Sequence, residues 1–547
     1  MRSNVIRTLF PFSVVVALAG LSACSAEHAQ HDEGEVDENA IDNELTSNTA
    51  LSRSLKFQGV VFVADGASDY TILAAVKRQT QSAFGALRTS NVGVNSRELK
   101  DVDPSTFVKA KVSVVDTTKA GAAATPMLKV TYTYTDNALV PKTMSRKSSL
   151  QLAVLNGQYS SQNARILTEC TDNDKEANEF ADSIWYVFKP SLSSCKSAMA
   201  TEQKAIDAAR ARVDSKSGQV PLVETQRLYV PVTVALTGDK TNKGTSYPEY
   251  DRLYSQGVQK GKLTISMVSG LMADWAAGEH HDTIEDAGYD MWFQGLREIL
   301  AKRPDFKLVK VDGADLSTFD VGGTKVTGAT FTDLIKWELD GTGFPSNIPV
   351  SKQHDLRVAV GAKVLQRWIT FEAPVTVKIG SAPAQSFVIQ LNTYFGAETD
   401  PTPHKKAIKN SDVFVYNGHS YIGYGPLDPS HFSPSDFPAG YQIMFINGCV
   451  SYNYYEKDYL PLKPGGTRNL DLVTNGLESW VDGSGPAMGR FVGTLVDGKQ
   501  ESYSALLTAA QFSGYGYSWG QDALRVVDGE LDNVYAPGKT PIVVTPR

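Results

Sequence analysis

Apolar and polar residues alternate with a period of two along much of the N-terminal half of the chain. Val108, Ala110, Val112 and Val114 are separated by polar residues, and similar alternation recurs around residues 128–134 and 150–154. Such alternation is typical of half-buried strands that have one face on a core. We therefore expect a β-rich, sandwich-like domain over residues 53–165.

From about residue 255 the pattern changes to strands that alternate with helices. Leu263 to Val268 is a short apolar run typical of a buried strand, whereas residues 289–302 repeat apolar residues at helical spacing. The segment 354–395 is interpreted as several further strands. Strand–helix alternation predicts an α/β domain over residues 251–547, with a mostly parallel sheet flanked by helices.

Two other regions have different compositions. Residues 25–52 form a polar segment with eight acidic residues and no Lys or Arg, which predicts a disordered, extended tether. Residues 166–250 contain one helical segment and one strand, and are interpreted as a connecting region between the two domains. A chain of 547 residues is too long for a single core, which agrees with this division.

Two apolar runs in the C-terminal half end in the same way. Val413 to Tyr416 and Tyr441 to Ile446 each stop at an Asn-Gly pair, and the next residues are His419 and Cys449. If the two predicted strands are parallel neighbours, both residues lie at the carboxyl edge of the sheet, where α/β folds bind ligands. A thiol and an imidazole placed together indicate a cysteine nucleophile with its base.

The N-terminus carries an export signal. Arg2 and Arg7 precede an apolar run that ends in Leu21-Ser-Ala-Cys24, which predicts a signal peptide over residues 1–24. This ending resembles the lipobox of bacterial lipoproteins. The resemblance implies that Cys24 is lipidated and anchors the protein in the cell envelope, and Ser25 after it favours the outer membrane. The alternative is an ordinary secretory signal with a chance cysteine.

Export makes the cysteine count informative, because exported proteins reach an oxidising compartment. The chain has four cysteines, and Cys170 and Cys195 lie 25 positions apart in a polar region. We expect these two to form a disulfide. With Cys24 lipidated, Cys449 is left as the lone thiol.

The net charge and the absence of certain motifs limit the ligands that we expect this protein to bind. A net charge of −7 makes nucleic acid a poor partner. The spacings typical of zinc ligands, phosphate-binding loops and serine-hydrolase elbows are absent, so we predict neither a metal nor a cofactor. The cluster Glu279-His-His-Asp282 is interpreted as a polar loop rather than a metal site.

The strand ends resemble a known group of enzymes. The segments Val415-Tyr-Asn-Gly-His-Ser420, Met444-Phe-Ile-Asn-Gly-Cys-Val-Ser451 and Leu472-Val-Thr-Asn-Gly476 are similar to those of the caspase-like cysteine peptidases, which include gingipains, legumain and clostripain. The likeness is greatest to the gingipain-type proteins and covers about residues 262–512. It implies a caspase-like fold in which His419 and Cys449 form a catalytic dyad.

The resemblance also implies the roles of individual groups. The thiolate of Cys449 attacks the scissile carbonyl, and His419 holds the thiolate or protonates the leaving amine. The backbone N–H groups of Ser420 and Cys449 form the oxyanion hole. Ser420 stands where the family usually has Gly. His431 is a rival base, and a nearby acid could select basic substrate side chains; the candidates are Asp428, Asp436, Glu456, Asp458 and Asp482.

The sequence therefore predicts a lipid-anchored cysteine endopeptidase that uses Cys449 and His419 to hydrolyse peptide or protein substrates. The alternative is a non-catalytic surface lipoprotein with a degenerate peptidase fold. In that case the β-rich N-terminal half would bind a glycan or a protein.

Overall fold

Two large mixed sheets with flanking helices organise the chain in the computed structural model, which describes residues 45–171, 180–272, 282–511 and 523–547. Residues 43–547 form one compact unit. The predicted α/β class is confirmed, in the sense that mixed sheets are flanked by helices. Among the described residues, no helix combines the length and the apolar character needed to cross a membrane.

The first sheet has seven strands. They are β1 (Ala50–Ala64), β2 (Gly93–Val94), β3 (Val108–Val115), β4 (Thr125–Pro141), β5 (Ser149–Leu155), β6 (Gln219–Pro221) and β7 (Tyr229–Thr237). Their order is β5-β7-β1-β4-β3-β6, with β2 beside β4. All pairs are antiparallel except β3 with β6. The segment expected to connect two domains therefore supplies two strands to this sheet.

The N-terminal strands form one sheet covered by a helix, and not the two stacked sheets of the expected sandwich. The helix Asp69–Arg88 begins at Ser68, whose side chain accepts a hydrogen bond from the Thr71 N–H at 3.2 Å. Its apolar side, including Val76 and Phe84, joins the core that the inward residues of β1 enter. A helix of 20 residues thus fills the place of the second sheet.

The strands of the C-terminal half follow in chain order. They are β8 (Lys262–Gly270), β9 (Lys307–Val311), β10 (Thr318–Val321), β11 (Thr324–Thr327), β12 (Trp368–Ile379), β13 (Gln385–Gly396), β14 (Val413–Asn417), β15 (Gln442–Asn447), β16 (Leu470–Asn475), β17 (Arg525–Asp528) and β18 (Ile542–Pro546). Nine form a sheet in the order β17-β16-β15-β14-β8-β13-β12-β18, with β9 beside β12, while β10 and β11 form a hairpin.

Five neighbouring strands of this second sheet, from β16 to β13, are parallel, and the remaining strands join antiparallel. The sheet is therefore mixed, with a parallel centre.

Helices cover both sheets. They are α1 (Asp69–Arg88), α2 (Asn163–Cys170), α3 (Ile184–Val187), α4 (Ser193–Arg210), α5 (Leu222–Thr225), α6 (Tyr250–Leu253), α7 (Ala287–Lys302), α8 (Phe331–Ile335), α9 (Gln353–Val364), α10 (Thr402–Lys409), α11 (Ser451–Leu462), α12 (Val481–Leu495) and α13 (Tyr503–Ala509). The expected strand pattern over residues 354–395 is wrong for its first part, which is α9. As expected, Cys170 and Cys195 lie in disulfide geometry, with 4.7 Å between their Cα atoms.

The second sheet is buried on both faces, and one face packs against the N-terminal half. Phe414 and Tyr416 of β14 belong to the same core as the side chains of the first sheet and α1. Val413 and Val415 point the opposite way and join the core that contains residues of α7 and α12. The N-terminal half is thus packed onto the sheet that carries His419 and Cys449.

The folded part begins earlier than the predicted tether boundary. Leu45 is 1% exposed and forms a bridge to Thr241, and β1 starts at Ala50. Residues 45–52 therefore belong to the folded unit. Cys24, the signal peptide and the rest of the predicted tether up to residue 44 lie outside the described residues.

Candidate active site

Strands β14 and β15 are parallel neighbours, which is the condition on which the strand-end argument depends. Asn417 lies opposite Asn447 in the register of the two strands, so His419 and Cys449 both lie two residues beyond that pair. Both residues therefore project from the same carboxyl edge of the sheet. Each is partly exposed there.

This edge also contains the point where the strand order reverses. Numbered along the chain, the five parallel strands have the order 2-1-3-4-5, which corresponds to β13-β8-β14-β15-β16. Strand β13 lies on one side of β8, and β14, β15 and β16 follow on the other side. The loops that leave β8 and β14 therefore run in opposite directions and leave a crevice between them. Doubly wound folds bind ligands in the crevice at such a reversal. His419 follows β14 directly at this point.

A buried ladder of amides ties the strand ends together. Asn447 Nδ2 donates to Asn417 Oδ1 at 2.9 Å, and Asn475 Nδ2 donates to Asn447 Oδ1 at 3.0 Å. Arg525 of β17 donates to that same Asn447 oxygen at 3.0 Å. The ladder fixes the ends of β14, β15 and β16 relative to one another. The sequence analysis did not predict this ladder, although a third Asn-Gly pair, Asn475-Gly476, lies at the end of β16.

The ring of His419 is oriented by a backbone carbonyl. Its Nε2 lies 3.0 Å from the carbonyl oxygen of Met272, just beyond β8. Because a carbonyl only accepts hydrogen bonds, Nε2 carries the hydrogen, and in a neutral ring Nδ1 is then the unprotonated nitrogen. The ring also packs edge-on against Tyr421, with 5.5 Å between ring centroids. The imidazole thus has a defined tautomer.

A buried carboxyl group that sequence reasoning missed supports the histidine loop. Glu398 is 4% exposed, and its Oε1 accepts hydrogen bonds from the His419 backbone N–H at 2.9 Å and from the Tyr416 hydroxyl at 2.7 Å. Burial raises the pKa of Glu398 to about 7. A Cβ on Gly418 would lie 1.8 Å from Oε1, so any other residue there would displace this carboxyl group. No pattern around Glu398 marks it in the sequence.

The thiol of Cys449 lies at the same edge but is bonded elsewhere. Its Sγ donates to the carbonyl oxygen of Ser479, which follows β16, at 3.6 Å. Burial raises the pKa of the Cys449 thiol. Within the described ranges, no hydrogen bond joins Sγ to the His419 ring. The structure brings the two expected catalytic residues to one edge without bonding them to each other.

Ser420 fits its position without strain. Its backbone has φ −82° and ψ −18°, which any L-residue adopts, so this site has no need for the glycine of the resembled family. The Ser420 hydroxyl donates to the Cys449 carbonyl oxygen at 2.7 Å, which links the two loops. Among the described residues, neither the Ser420 nor the Cys449 backbone N–H donates a hydrogen bond to a backbone carbonyl.

The N-terminal half contributes a charged residue to this edge. Arg88, the last residue of α1, forms an ion pair with Glu478, the neighbour of Ser479. The Arg88 guanidinium also donates to the carbonyl oxygen of Tyr186 at 3.1 Å. Its positive charge partly offsets the effect of burial on the pKa of the Cys449 thiol. Sequence reasoning missed this pair because its residues lie 390 positions apart.

The other expected candidates make contacts of their own away from the Cys449 thiol and the His419 ring. His431 is exposed at the end of a short turn. Asp428 and Asp436 accept hydrogen bonds from nearby N–H groups. Asp458 lies 4.0 Å from Arg97, Glu456 is buried in α11, and Asp482 lies in the first turn of α12. The described residues contain no group of three or more His, Cys, Asp or Glu side chains that could hold a metal ion. Residues 279–281 lie outside them.

Comparison of the chain with protein-family models, with curated proteins and with solved structures gives no match.

Proposed function

We propose that the protein is a cysteine peptidase in which Cys449 is the nucleophile and His419 the base. The observation that carries the proposal is that the two residues follow register-paired positions on adjacent parallel strands. The hydrogen bond between His419 Nε2 and the Met272 carbonyl, which fixes the histidine tautomer, supports it. A nucleophile, a base and a group that orients the base are the recurring elements of covalent hydrolysis.

The proposed reaction begins with proton transfer. After the Cys449 side chain turns from the Ser479 carbonyl, Sγ transfers its proton to His419 Nδ1 and attacks the peptide carbonyl carbon. The oxyanion accepts hydrogen bonds from the Ser420 and Cys449 N–H groups. The C–N bond then breaks, and the imidazolium gives its proton to the leaving amine. Water, deprotonated by the imidazole, hydrolyses the thioester and restores the thiol.

The electrostatics favour a neutral Cys449 thiol that His419 deprotonates during the reaction over a thiolate–imidazolium ion pair in the resting protein. Burial raises the pKa of the Cys449 thiol, so the resting residue is protonated near neutral pH. The nucleophile is therefore generated when the imidazole takes the proton. This supports the role in which His419 protonates the leaving amine over the role in which it holds a resting thiolate.

We also propose that the second sheet has the caspase-like arrangement. The support is its strand pattern: five parallel strands, an antiparallel strand beyond the last of them, and the His and Cys after the third and fourth strands. The likeness of the three motif segments points the same way.

The histidine's role can be tested by site-specific alkylation. We expect His419→Ala to slow labelling of Cys449 by iodoacetamide near neutral pH by about 100-fold, a typical contribution of a general base. Mass spectrometry of the Cys449 peptide measures the rate. His431→Ala is the matched control, because His431 is exposed and lies in a local turn. Equal labelling rates for His419→Ala and the wild-type chain would exclude the dyad.

We further propose that the protein is a lipoprotein anchored through Cys24 in the bacterial cell envelope, with the outer membrane favoured. The support is the Leu-Ser-Ala-Cys sequence after a short apolar run. We expect Cys24→Ser to move the protein from the membrane fraction to the soluble fraction, and to remove incorporation of labelled fatty acid. Gln30→Ala, a change downstream of the lipobox-like sequence, is the control. Membrane retention of the Cys24→Ser chain would contradict the anchor.

A second candidate function is a non-catalytic lipoprotein that binds a glycan or a protein through its N-terminal half. The Sγ–Ser479 hydrogen bond favours it, since the thiol is held away from the imidazole. Packing of the N-terminal half against this edge, through Arg88 and Glu478, points in the same direction.

A further inference from the structure

The loop that follows His419 contains two residues with an unfavourable backbone conformation. Tyr421 and Ile422 have φ values of 48° and 54°, in the left-handed region that L-residues seldom adopt. Ile422 is the more unusual of the two, because its side chain branches at Cβ. Two such residues in succession persist only where surrounding contacts hold them. Those contacts therefore decide whether the loop keeps its conformation.

An arginine of the N-terminal half makes three contacts at the end of this strained pair. The Nη2 of Arg97 donates to the carbonyl oxygen of Gly423, the next residue along the chain, at 2.7 Å. Its Nη1 lies 3.4 Å from Oδ1 of Asp428, and its guanidinium lies 4.5 Å from the centroid of the Tyr424 ring. The Arg97 side chain is 25% exposed. A planar guanidinium can meet a carbonyl, a carboxylate and a ring face at once, which an ammonium group cannot.

Helix α11 also holds this loop. The Tyr455 hydroxyl donates to the Ser420 carbonyl oxygen at 3.3 Å, and the Tyr459 hydroxyl donates to the Leu427 carbonyl oxygen at 2.6 Å. Ser420 directly precedes the strained pair. The pair is therefore held at its start by α11 and at its end by Arg97.

The strained pair is in contact with the imidazole that is proposed as the base. The Tyr421 ring packs edge-on against the His419 ring, with 5.5 Å between their centroids. The other contact that orients the ring is the hydrogen bond from Nε2 to the Met272 carbonyl. If the strained pair relaxes to ordinary φ values, the Tyr421 ring moves, and the imidazole is then held less firmly in its tautomer.

The backbone on both sides of Arg97 is bonded to the helix that begins after Cys449. Asn453 of α11 is 2% exposed, and its Nδ2 donates to the Ser96 carbonyl oxygen at 2.6 Å. Its Oδ1 accepts a hydrogen bond from the Glu98 N–H at 3.1 Å. One short segment of the N-terminal half thus joins the histidine loop to the element that follows the cysteine.

We propose that Arg97 is a positioning residue for His419, so that the N-terminal half is a built-in part of the candidate active site. Arg97 holds the left-handed pair, and the pair keeps the Tyr421 ring against the imidazole. The imidazole then keeps its hydrogen on Nε2 and leaves Nδ1 unprotonated to receive a proton. The catalytic consequence of this contact rests on the proposed function, in which His419 is the base.

The first measurement is the tautomer of His419 at a pH at which its ring is neutral. It is obtained by NMR of the full chain labelled with [15N]histidine, with signals assigned by comparison with His419→Ala. We expect the wild-type chain to hold one tautomer, with the hydrogen on Nε2, and Arg97→Ala to show both. Arg97→Lys, which keeps the charge but not the planar fork, is also expected to show both. It takes the place of Arg97→Ala if thermal unfolding shows that Arg97→Ala does not fold.

The second measurement is the rate at which iodoacetamide labels Cys449. We expect Arg97→Ala to slow labelling by about tenfold and Arg97→Lys by about threefold, because a displaced imidazole accepts the proton less efficiently. Arg165→Ala is the matched control, since Arg165 also meets two carboxylates and a tyrosine ring, all within the N-terminal half. It is expected to match the wild-type chain in both measurements.

The positioning role is excluded if Arg97→Ala, or Arg97→Lys in its place, keeps the wild-type tautomer, or if Arg165→Ala changes the tautomer equally. It is also excluded if His419→Ala slows labelling and the Arg97 variant does not. If neither slows labelling although the tautomer depends on Arg97, the contact stands and the Cys449–His419 dyad fails. Because the tautomer is measured without substrate, the two proposals can fail separately.

Discussion

Replacing Cys449 by Ala is expected to remove peptide cleavage by the full chain. Without the thiol, no acyl-enzyme forms, and the remaining N–H groups can only polarise the carbonyl. Loss of a catalytic nucleophile lowers kcat by about 10⁴ to 10⁶ in comparable hydrolases. The measurement is cleavage of a diverse peptide library, followed by mass spectrometry and by kcat/KM on the best substrate.

The control for this experiment is Ser430→Ala, an exposed change in the segment between the two motif residues. We expect it to cleave like the wild-type chain. Cleavage that persists in Cys449→Ala would exclude Cys449 as the nucleophile. If the wild-type chain is folded but cleaves no peptide, the non-catalytic lipoprotein is favoured instead. In that case the thiol simply keeps its hydrogen bond to the Ser479 carbonyl.

The strands were the most predictable part of the fold, because each is an apolar run bounded by turn residues. The sequence patterns located β3, β8, β14 and β15 to within about three residues. Helix α1 was missed because it lies within residues 53–165, where the period-two alternation of neighbouring segments predicted only strands. Its spacing of Ile72, Val76, Ala83 and Leu87, after the capping Ser68, is nonetheless helical.

The candidate site was predictable only where the chain itself places residues at strand ends. His419 and Cys449 each follow an Asn-Gly pair, and parallel pairing then brings them to one edge. The groups that support them come from distant positions. Met272 follows β8, Glu398 follows β13, and Arg88 ends α1 in the other half of the chain. Such contacts depend on tertiary packing, which no local pattern specifies.

The carboxyl group beneath the histidine loop should make folding stability depend on pH. Burial raises the pKa of Glu398 from 4.5 to about 7, so the folded state binds its proton more tightly than the unfolded state does. The contribution of this bound proton to the free energy of unfolding is fully present below about pH 4.5 and is lost as pH rises through about 7. The size of this loss is about 3 kcal/mol for a shift of this extent. Buried Asp471, whose pKa is also raised to about 7, acts in the same direction.

We therefore expect Glu398→Gln to gain stability relative to the wild-type chain by about 3 kcal/mol between pH 4.5 and pH 8. Glutamine keeps an oxygen for the Tyr416 hydroxyl and the His419 N–H but has no proton to lose. Urea unfolding at several pH values measures the difference. Asp315→Asn is the control. Because the pKa of Asp315 is lowered to about 2, this residue is ionised above pH 5 in the folded and the unfolded protein. The difference in the free energy of unfolding between Asp315→Asn and the wild-type chain therefore stays constant from pH 5 to 8. A pH-independent difference for Glu398→Gln would show that this carboxyl group is not protonated in the folded protein at pH 5.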